Sequence, residues 1–235
     1  MRDFAAAMAE EKAYVTERMQ GVESSLPERL APYGYSDLAE YFKDKREYLF
    51  TQWQPEVYPV RVETLTTELE AAARIGKYGI YISVADGLYA FHGTDPIDYK
   101  LCEELGVCVA ELYHNGGTII GSNEDLGIWI CAPAELMLSC SEILAKFHEI
   151  ISKYVMGAVI AGNDILVDGE KVMGSMSRSV GNTFIWAAQV SFGEYSDIIS
   201  QICTKQSAKK PGRIDNALLT RDALESEVLA WLCKR

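Results

Sequence analysis

Apolar positions fall on helical spacing at three places early in the chain. Phe4, Ala7, Met8, Val15 and Met19 predict a helix over 3–20. Residues 21–35, rich in Gly, Pro and Ser, predict a break. Ser36 and Glu40 form a pattern that resembles a capping box. It opens a helix to about residue 50, with Leu38, Tyr41, Phe42 and Leu49 on one face. Residues 52–59 carry two prolines and read as an extended link, and 63–74 read as a further helix.

From residue 79 the period changes. Short β-branched and aromatic runs at 79–84 and 88–92 predict a hairpin about Asp86-Gly87. A short helix over 98–106 ends in glycine, followed by strands at 107–112, 118–120 and 126–132. The longest predicted helix, 134–154, places Leu136, Cys140, Ile143, Leu144, Phe147 and Ile151 on one face. Then come a strand at 155–160 and a hairpin, 165–167 with 171–176, about Asp168-Gly169. A strand at 183–192 and helices at 194–203 and 220–233 complete the chain. Between those helices lies a basic, polar loop, 205–213, with Lys209, Lys210 and Pro211. Hairpins with helices packed on one or both faces predict an α+β fold with a mixed sheet.

Composition narrows the class of function. The 235 residues suit one large domain, or one domain with an extension. A net charge of −12 argues against a nucleic-acid or anionic-membrane surface, yet leaves room for a small basic pocket. No apolar run approaches the ~20 residues of a membrane helix, and the N-terminus lacks the apolar core of a secretory signal. The six cysteines form no Cys-x-x-Cys pair and read as reduced core thiols of a cytoplasmic protein. The three histidines are scattered, outside any zinc-ligand spacing.

The candidate chemistry lies in 161–175. The tight turn fixes the direction of Lys171, and Asn163 and Asp164 start the strand opposite. One cation, one amide and one carboxylate held on rigid elements suit an anion and a metal. The same residue types are also commonplace on ordinary hairpins. Upstream, 114–121 is a glycine turn whose Gly116 and Gly117 allow close approach of backbone to a ligand.

Asn163, Asp164, Lys171, Gly174 and Ser175, in this order, resemble the signature of the lipoate–protein ligase and biotin–protein ligase catalytic family. The segments 79–93, 114–121, 184–192 and 212–216 resemble further family segments in the family's order, so the resemblance covers roughly 79–235. It implies a ligase-like catalytic domain over 76–235, preceded by an N-terminal helical region over 1–75. It also implies an ATP-dependent lipoate– or octanoate–protein ligase. Such an enzyme forms an acyl adenylate, then transfers the acyl group to a lysine of an acceptor protein with a lipoyl-type domain. By resemblance Lys171 is the catalytic contact to carboxylate and phosphate, and Asp164 holds magnesium or the nucleotide. Asn163, Gly174, Ser175 and Arg178 lie beside the same groups, while His114, Asn115, Gly116, Gly117 and Thr118 line the acyl-phosphate path.

The resemblance has departures. Leu112 and Tyr113 stand where lipoate ligases often carry two arginines, and Gly121 where a histidine often follows. Related acyltransferases use a cysteine, which neither Gly181-Asn182 nor the stretch 155–160 supplies. This favours a ligase over a cysteine acyltransferase. A non-catalytic binding protein keeping the fold, or a cysteine-independent acyltransferase, is the alternative. Alternation along Thr118, Ile119 and Ile120 predicts an apolar channel suited to lipoate or octanoate rather than biotin.

Overall fold

The computed structural model describes residues 2–21, 23–111, 117–136, 138–203 and 209–233. The chain divides into two compact units, one of residues 1–54 with 135–137 and one of the remainder.

The smaller unit is helical. Helix α1 (Phe4–Met19) is capped by Asp3, whose side chain accepts from the Ala6 backbone N–H at 3.1 Å. A short helix α2 (Leu26–Leu30) occupies the stretch expected to be a break; Pro27 sits in its first turn, where a missing N–H costs nothing. Helix α3 (Leu38–Gln52) is capped by Asp37 through the Ala39 N–H at 2.9 Å, so the cap is Asp37 and not the expected Ser36. Ala7, Leu30, Tyr35 and Tyr41 form its buried core.

The larger unit opens with strand β1 (Glu56–Arg61), where an irregular link was expected. Its Pro59 is tolerated because β1 is an edge strand, lying parallel to β2 (Gly79–Val84). Between them, helix α4 (Leu65–Ile75) buries Leu65, Leu69, Ala72 and Ala73 on one stripe and ends at Gly76 with φ 67°. These two elements pack in the larger unit.

Strand β3 (Tyr89–His92) does not pair with β2, which corrects the expected hairpin. Both strands are largely buried and each takes its partners from a different sheet. Helix α5 (Tyr99–Glu104) leads to β4 (Cys108–Glu111), β5 (Ile119–Gly121) and β6 (Leu126–Pro133). Helix α6 (Cys140–Ser152) starts later than expected, at a cap supplied by Ser139. Strands β7 (Val159–Ala161), β8 (Asp164–Val167), β9 (Glu170–Val180) and β10 (Thr183–Val190) follow, then helices α7 (Ser196–Ile202) and α8 (Arg221–Cys233).

The main sheet runs β1-β2-β6-β10-β9-β8-β7 and is antiparallel except at its first pair. Alternation divides its faces. Trp186 of β10 meets Phe147 of α6 at 5.2 Å between ring centroids. Its neighbours Ile185 and Ala187 join the core shared with α4 and the small sheet β4-β3-β5. That small sheet buries Phe91 towards the main sheet and Ala90 towards α5 and α7. The expected α+β class with a mixed sheet and packed helices is what the structure has.

Candidate active site

The Asp168-Gly169 turn forms as expected. Both residues have positive φ, 51° and 83°, which glycine accepts without cost and aspartate tolerates. The turn brings β8 and β9 into register with Asp164 opposite Gly174. Asn163 and Ser175 then lock the base of the pair. The Ser175 N–H and hydroxyl donate to the Asn163 carbonyl at 3.0 and 2.7 Å, and the Asn163 amide returns a bond to the Ser175 carbonyl. Asn163 and Ser175 thus hold the hairpin, and neither lines the cleft beside it.

Asp164 is 5% exposed and faces two ammonium groups. Lys171 Nζ lies 3.0 Å from Oδ1, off the axis of an aligned hydrogen bond, as an ion pair. Lys209 Nζ lies 2.5 Å from Oδ2 and also donates to the Ala161 carbonyl at 2.7 Å. The segment carrying Lys209 lies alongside β9. The Lys171 N–H donates to the Lys210 carbonyl at 2.8 Å, and the Gly212 N–H donates to the Lys171 carbonyl at 2.9 Å. A Cβ on Gly212 would sit 2.5 Å from Glu170 Cβ, so only glycine allows this approach.

These lysines line a cleft of about 620 Å³. Thr118, Ile119 and Ile120 of the glycine-turn side, Met173 and Gly174 of β9, and Ile199 of α7 line it. The cleft beside Ile119 and Ile120 differs from the narrow apolar channel expected: Thr118, Ile119 and Ile120 all line it, and its wall carries polar groups as well. Gln189 is 3% exposed; its Nε2 donates to the Ile120 carbonyl at 2.9 Å while its Oε1 has no partner among the described residues. Asp95 accepts from the Thr118 N–H at 2.9 Å and would meet any side chain placed on Gly117. At Gly121 a side chain would run into Gln189 and the Tyr89 ring, so no histidine fits there.

The turn after β10 forms another wall. Buried Asp125 anchors it, accepting from the N–H groups of Phe192 at 2.6 Å, Gly193 at 3.1 Å and Ser122 at 2.8 Å. Burial raises the Asp125 carboxyl above its ordinary value, against the pull of those three donors. Tyr195 closes this side, its hydroxyl 2.7 Å from Ser122 Oγ.

The structure gathers Lys171, Asp164, Gly174, Gly117 and Thr118 about one region. Arg178 stands apart: four residues beyond Gly174 on β9, it pairs with Glu70 of α4 at 3.7 Å and does not line the cleft. His114, Asn115 and Gly116 lie outside the described residues. Magnesium, expected on Asp164, does not fit there. Both carboxylate oxygens face ammonium groups that would repel it, and the described residues contain no cluster of three or more His, Cys, Asp or Glu.

Sequence reasoning missed Lys209, Gln189, Asp95 and Cys203 as lining residues. The Lys209-Lys210-Pro211 run was visible, but nothing local ties it to a strand 38 positions earlier. Cys203 supplies a thiol in the cleft wall that motif positions did not indicate. Burial and the nearby Asp95 charge push that thiol above its ordinary value, which keeps it protonated and a weak nucleophile. No helix among the described residues is long and apolar enough to cross a membrane.

No family model matches the sequence, and no curated protein matches it. Solved structures do match. Plasmodium falciparum LipL1 in complex with lipoate superposes with TM-score 0.60 at 15% identity, over 76% of this chain and 62% of that one. The chain thus spans less than two thirds of that protein's length. A bipartite lipoate protein ligase from Thermoplasma acidophilum, described with its E2 lipoyl domain, gives 0.57 at 14% identity, over 76% of this chain and 83% of that one. Lipoate-protein ligase A bound with ATP gives 0.58 at 12% identity, over 77% and 85%. The chain has the fold of the lipoate–protein ligases.

Proposed function

We propose that the protein is an ATP-dependent acyl–protein ligase taking lipoate or octanoate. The observation that carries this reading is the lysine pair on Asp164 in the wall of a partly apolar cleft, in a fold shared with lipoate ligases. The structural neighbours bind lipoate and ATP, and one is described with its lipoyl domain.

The chemistry requires two anions to meet. A carboxylate oxygen of the acid attacks the α-phosphorus of ATP, a P–O bond to pyrophosphate breaks, and an acyl adenylate forms. The ammonium of Lys171 offsets the charge building on the phosphate and carboxylate oxygens. Fixed donors of this kind contribute about 3–4 kcal/mol to a transition state. An acceptor lysine amine then attacks the acyl carbon and AMP leaves. Any magnesium the reaction uses would come with the nucleotide, since Asp164 is engaged by the lysines. Ile119, Ile120 and Met173 supply apolar surface for the acyl tail.

One observation favours a second reading. The unpartnered Gln189 Oε1 is a buried acceptor in the cleft wall, and a buried polar atom without a partner is costly. An acid with a distal N–H donor, such as biotin, would satisfy it. ATP–pyrophosphate exchange with lipoate, octanoate and biotin in turn separates the readings. Exchange with lipoate or octanoate supports the first and preference for biotin the second. No exchange with any of them, beside measurable acid binding, leaves a binding protein that keeps the fold.

A further inference from the structure

We propose that Asp95, beside Thr118, receives the primary ammonium group of the acceptor lysine in the cleft and takes the proton whose loss frees it to attack. This rests on the acyl–protein ligase reading and concerns the second half of that reaction, the transfer.

Charge pairing in the cleft lining singles out Asp95. Lys171 and Lys209 lie on Asp164, and Lys210 lies on Glu170. Three acids line the cleft beside these lysines: Asp95, Glu194 and Asp197. Glu194 accepts from the Ser196 N–H at 3.1 Å and from the Ser196 hydroxyl. Asp197 stands in the first turn of α7, an ordinary place for an acid. The Asp95 carboxylate is in no ion pair among the described residues. Its hydrogen bond there comes from the Thr118 N–H, 2.9 Å from Oδ2. An asparagine would accept that backbone bond equally well, so the fold does not need the charge.

Thr118 adds a second polar atom without a partner. It is 7% exposed, and its hydroxyl has no hydrogen-bond partner among the described residues. The Cys203 thiol beside it is only a weak donor and acceptor. An ammonium group has three donors and no acceptor, the complement of a carboxylate oxygen and a hydroxyl oxygen. An anion would be repelled there, and a neutral donor would leave the carboxylate charge without an offset.

The loop carrying Asp95 is fixed at both ends. His92 Nε2 lies 2.9 Å from the Asp95 carbonyl oxygen, and His92 Nδ1 lies 2.9 Å from Glu111 Oε2. Ile97 bridges to Cys203, and the Asp98 N–H donates to the Ile202 carbonyl at 2.9 Å. Little further ordering is needed when a ligand arrives. The neighbouring strand also meets Lys171. A methyl on Gly174 would sit 2.8 Å from Lys171 Nζ and 3.2 Å from Ile119 Cδ1, so the residue after Thr118 faces that lysine. An acyl group activated at Lys171 and an amine held at Asp95 therefore share one cleft.

The ammonium passes one proton to Asp95. The freed lone pair forms the N–C bond to the acyl carbon, the C–O bond to AMP breaks, and AMP leaves with that electron pair. The second proton, lost as the amide forms, goes to solvent, and Asp95 releases its own to solvent before the next turnover.

The test separates the two half-reactions in the wild type, Asp95→Asn and Asp95→Glu, each first shown to unfold thermally as one transition near the wild-type midpoint. ATP–pyrophosphate exchange with octanoate reads the first half. Octanoyl transfer to the lipoyl domain reads the second, with hydroxylamine as a comparison acceptor because it is uncharged at neutral pH. In Asp95→Asn the ratio of lysine transfer to exchange should fall about 100-fold, as for loss of a positioned base, while the ratio for hydroxylamine stays within about threefold. Lysine transfer by that variant should also climb about tenfold per pH unit above neutrality, as solution supplies the free amine, and more steeply than in the wild type. Asp95→Glu should recover part of the loss. A wild-type ratio in Asp95→Asn, equal loss with lysine and hydroxylamine, or loss of exchange itself would overturn the proposal. If the wild type exchanges with none of lipoate, octanoate and biotin, the ligase reading fails first. Hexylammonium at millimolar concentration then serves as the probe, read by saturation-transfer NMR. Binding lost in Asp95→Asn upholds the ammonium subsite, and equal or absent binding overturns it.

Discussion

Lys171 is placed by a turn two residues away and by one carboxylate. Replacing it with alanine leaves Asp164 still paired with Lys209, so the fold should survive with a loss of about 1 kcal/mol or less. Exchange activity should fall by about two to three orders of magnitude, the usual cost of removing one fixed oxyanion contact. Near-normal exchange with any accepted acid would remove Lys171 from the mechanism. Gly174→Ala is a subtler probe of the same lysine. The added methyl would sit 2.7 Å from Lys171 Cε and 2.8 Å from its Nζ, so the flexible side chain swings aside and the fold remains. Activity should drop while the thermal midpoint changes little. Cys203→Ala should leave exchange running, because a buried, protonated thiol is not the acyl carrier. A thioester trapped on Cys203 would contradict that. At this scale the sequence is legible where chemistry and backbone coincide: Asp164, Lys171 and Gly174 share one hairpin. Lys209 and Gln189 were not legible, because only tertiary packing brings them to the cleft.

The elements that frame the cleft are legible to different degrees. The strands β8 and β9 follow from the Asp168-Gly169 turn, and α6 from its apolar stripe. The pairing of β2 with β3 was misread because a plausible turn joins them. Only their burial on both faces shows that each needs its own sheet. Strand β1 was hidden by Pro59, which an edge position excuses. The wall formed after β10 depends on Asp125, which gives a pH signature. Its folded value is raised, so the folded state holds that proton more tightly than the unfolded chain does. That contribution to stability is complete below the ordinary carboxylate value of about 4 and is lost as pH rises through the raised value. Asp125→Asn should flatten the thermal midpoint across that window, against a decline from this site in the wild type. An unchanged pH profile would place the coupling elsewhere.

For the whole molecule, the larger unit carries every described residue of the cleft, and the helices of residues 1–54 add none to it. The overall charge of −12 coexists with three lysines, Lys171, Lys209 and Lys210, in the lining of that cleft. Tail length should matter in proportion to buried methylenes at about 0.8 kcal/mol each, so octanoate should bind about two orders of magnitude more tightly than butyrate. The most direct measurement is the intact mass of a lipoyl domain after incubation with the protein, octanoate, ATP and magnesium. One octanoyl addition, absent without ATP and absent with Lys171→Ala, is the predicted result. An unmodified lipoyl domain with each of lipoate, octanoate and biotin, or acyl addition that proceeds without ATP, would contradict it.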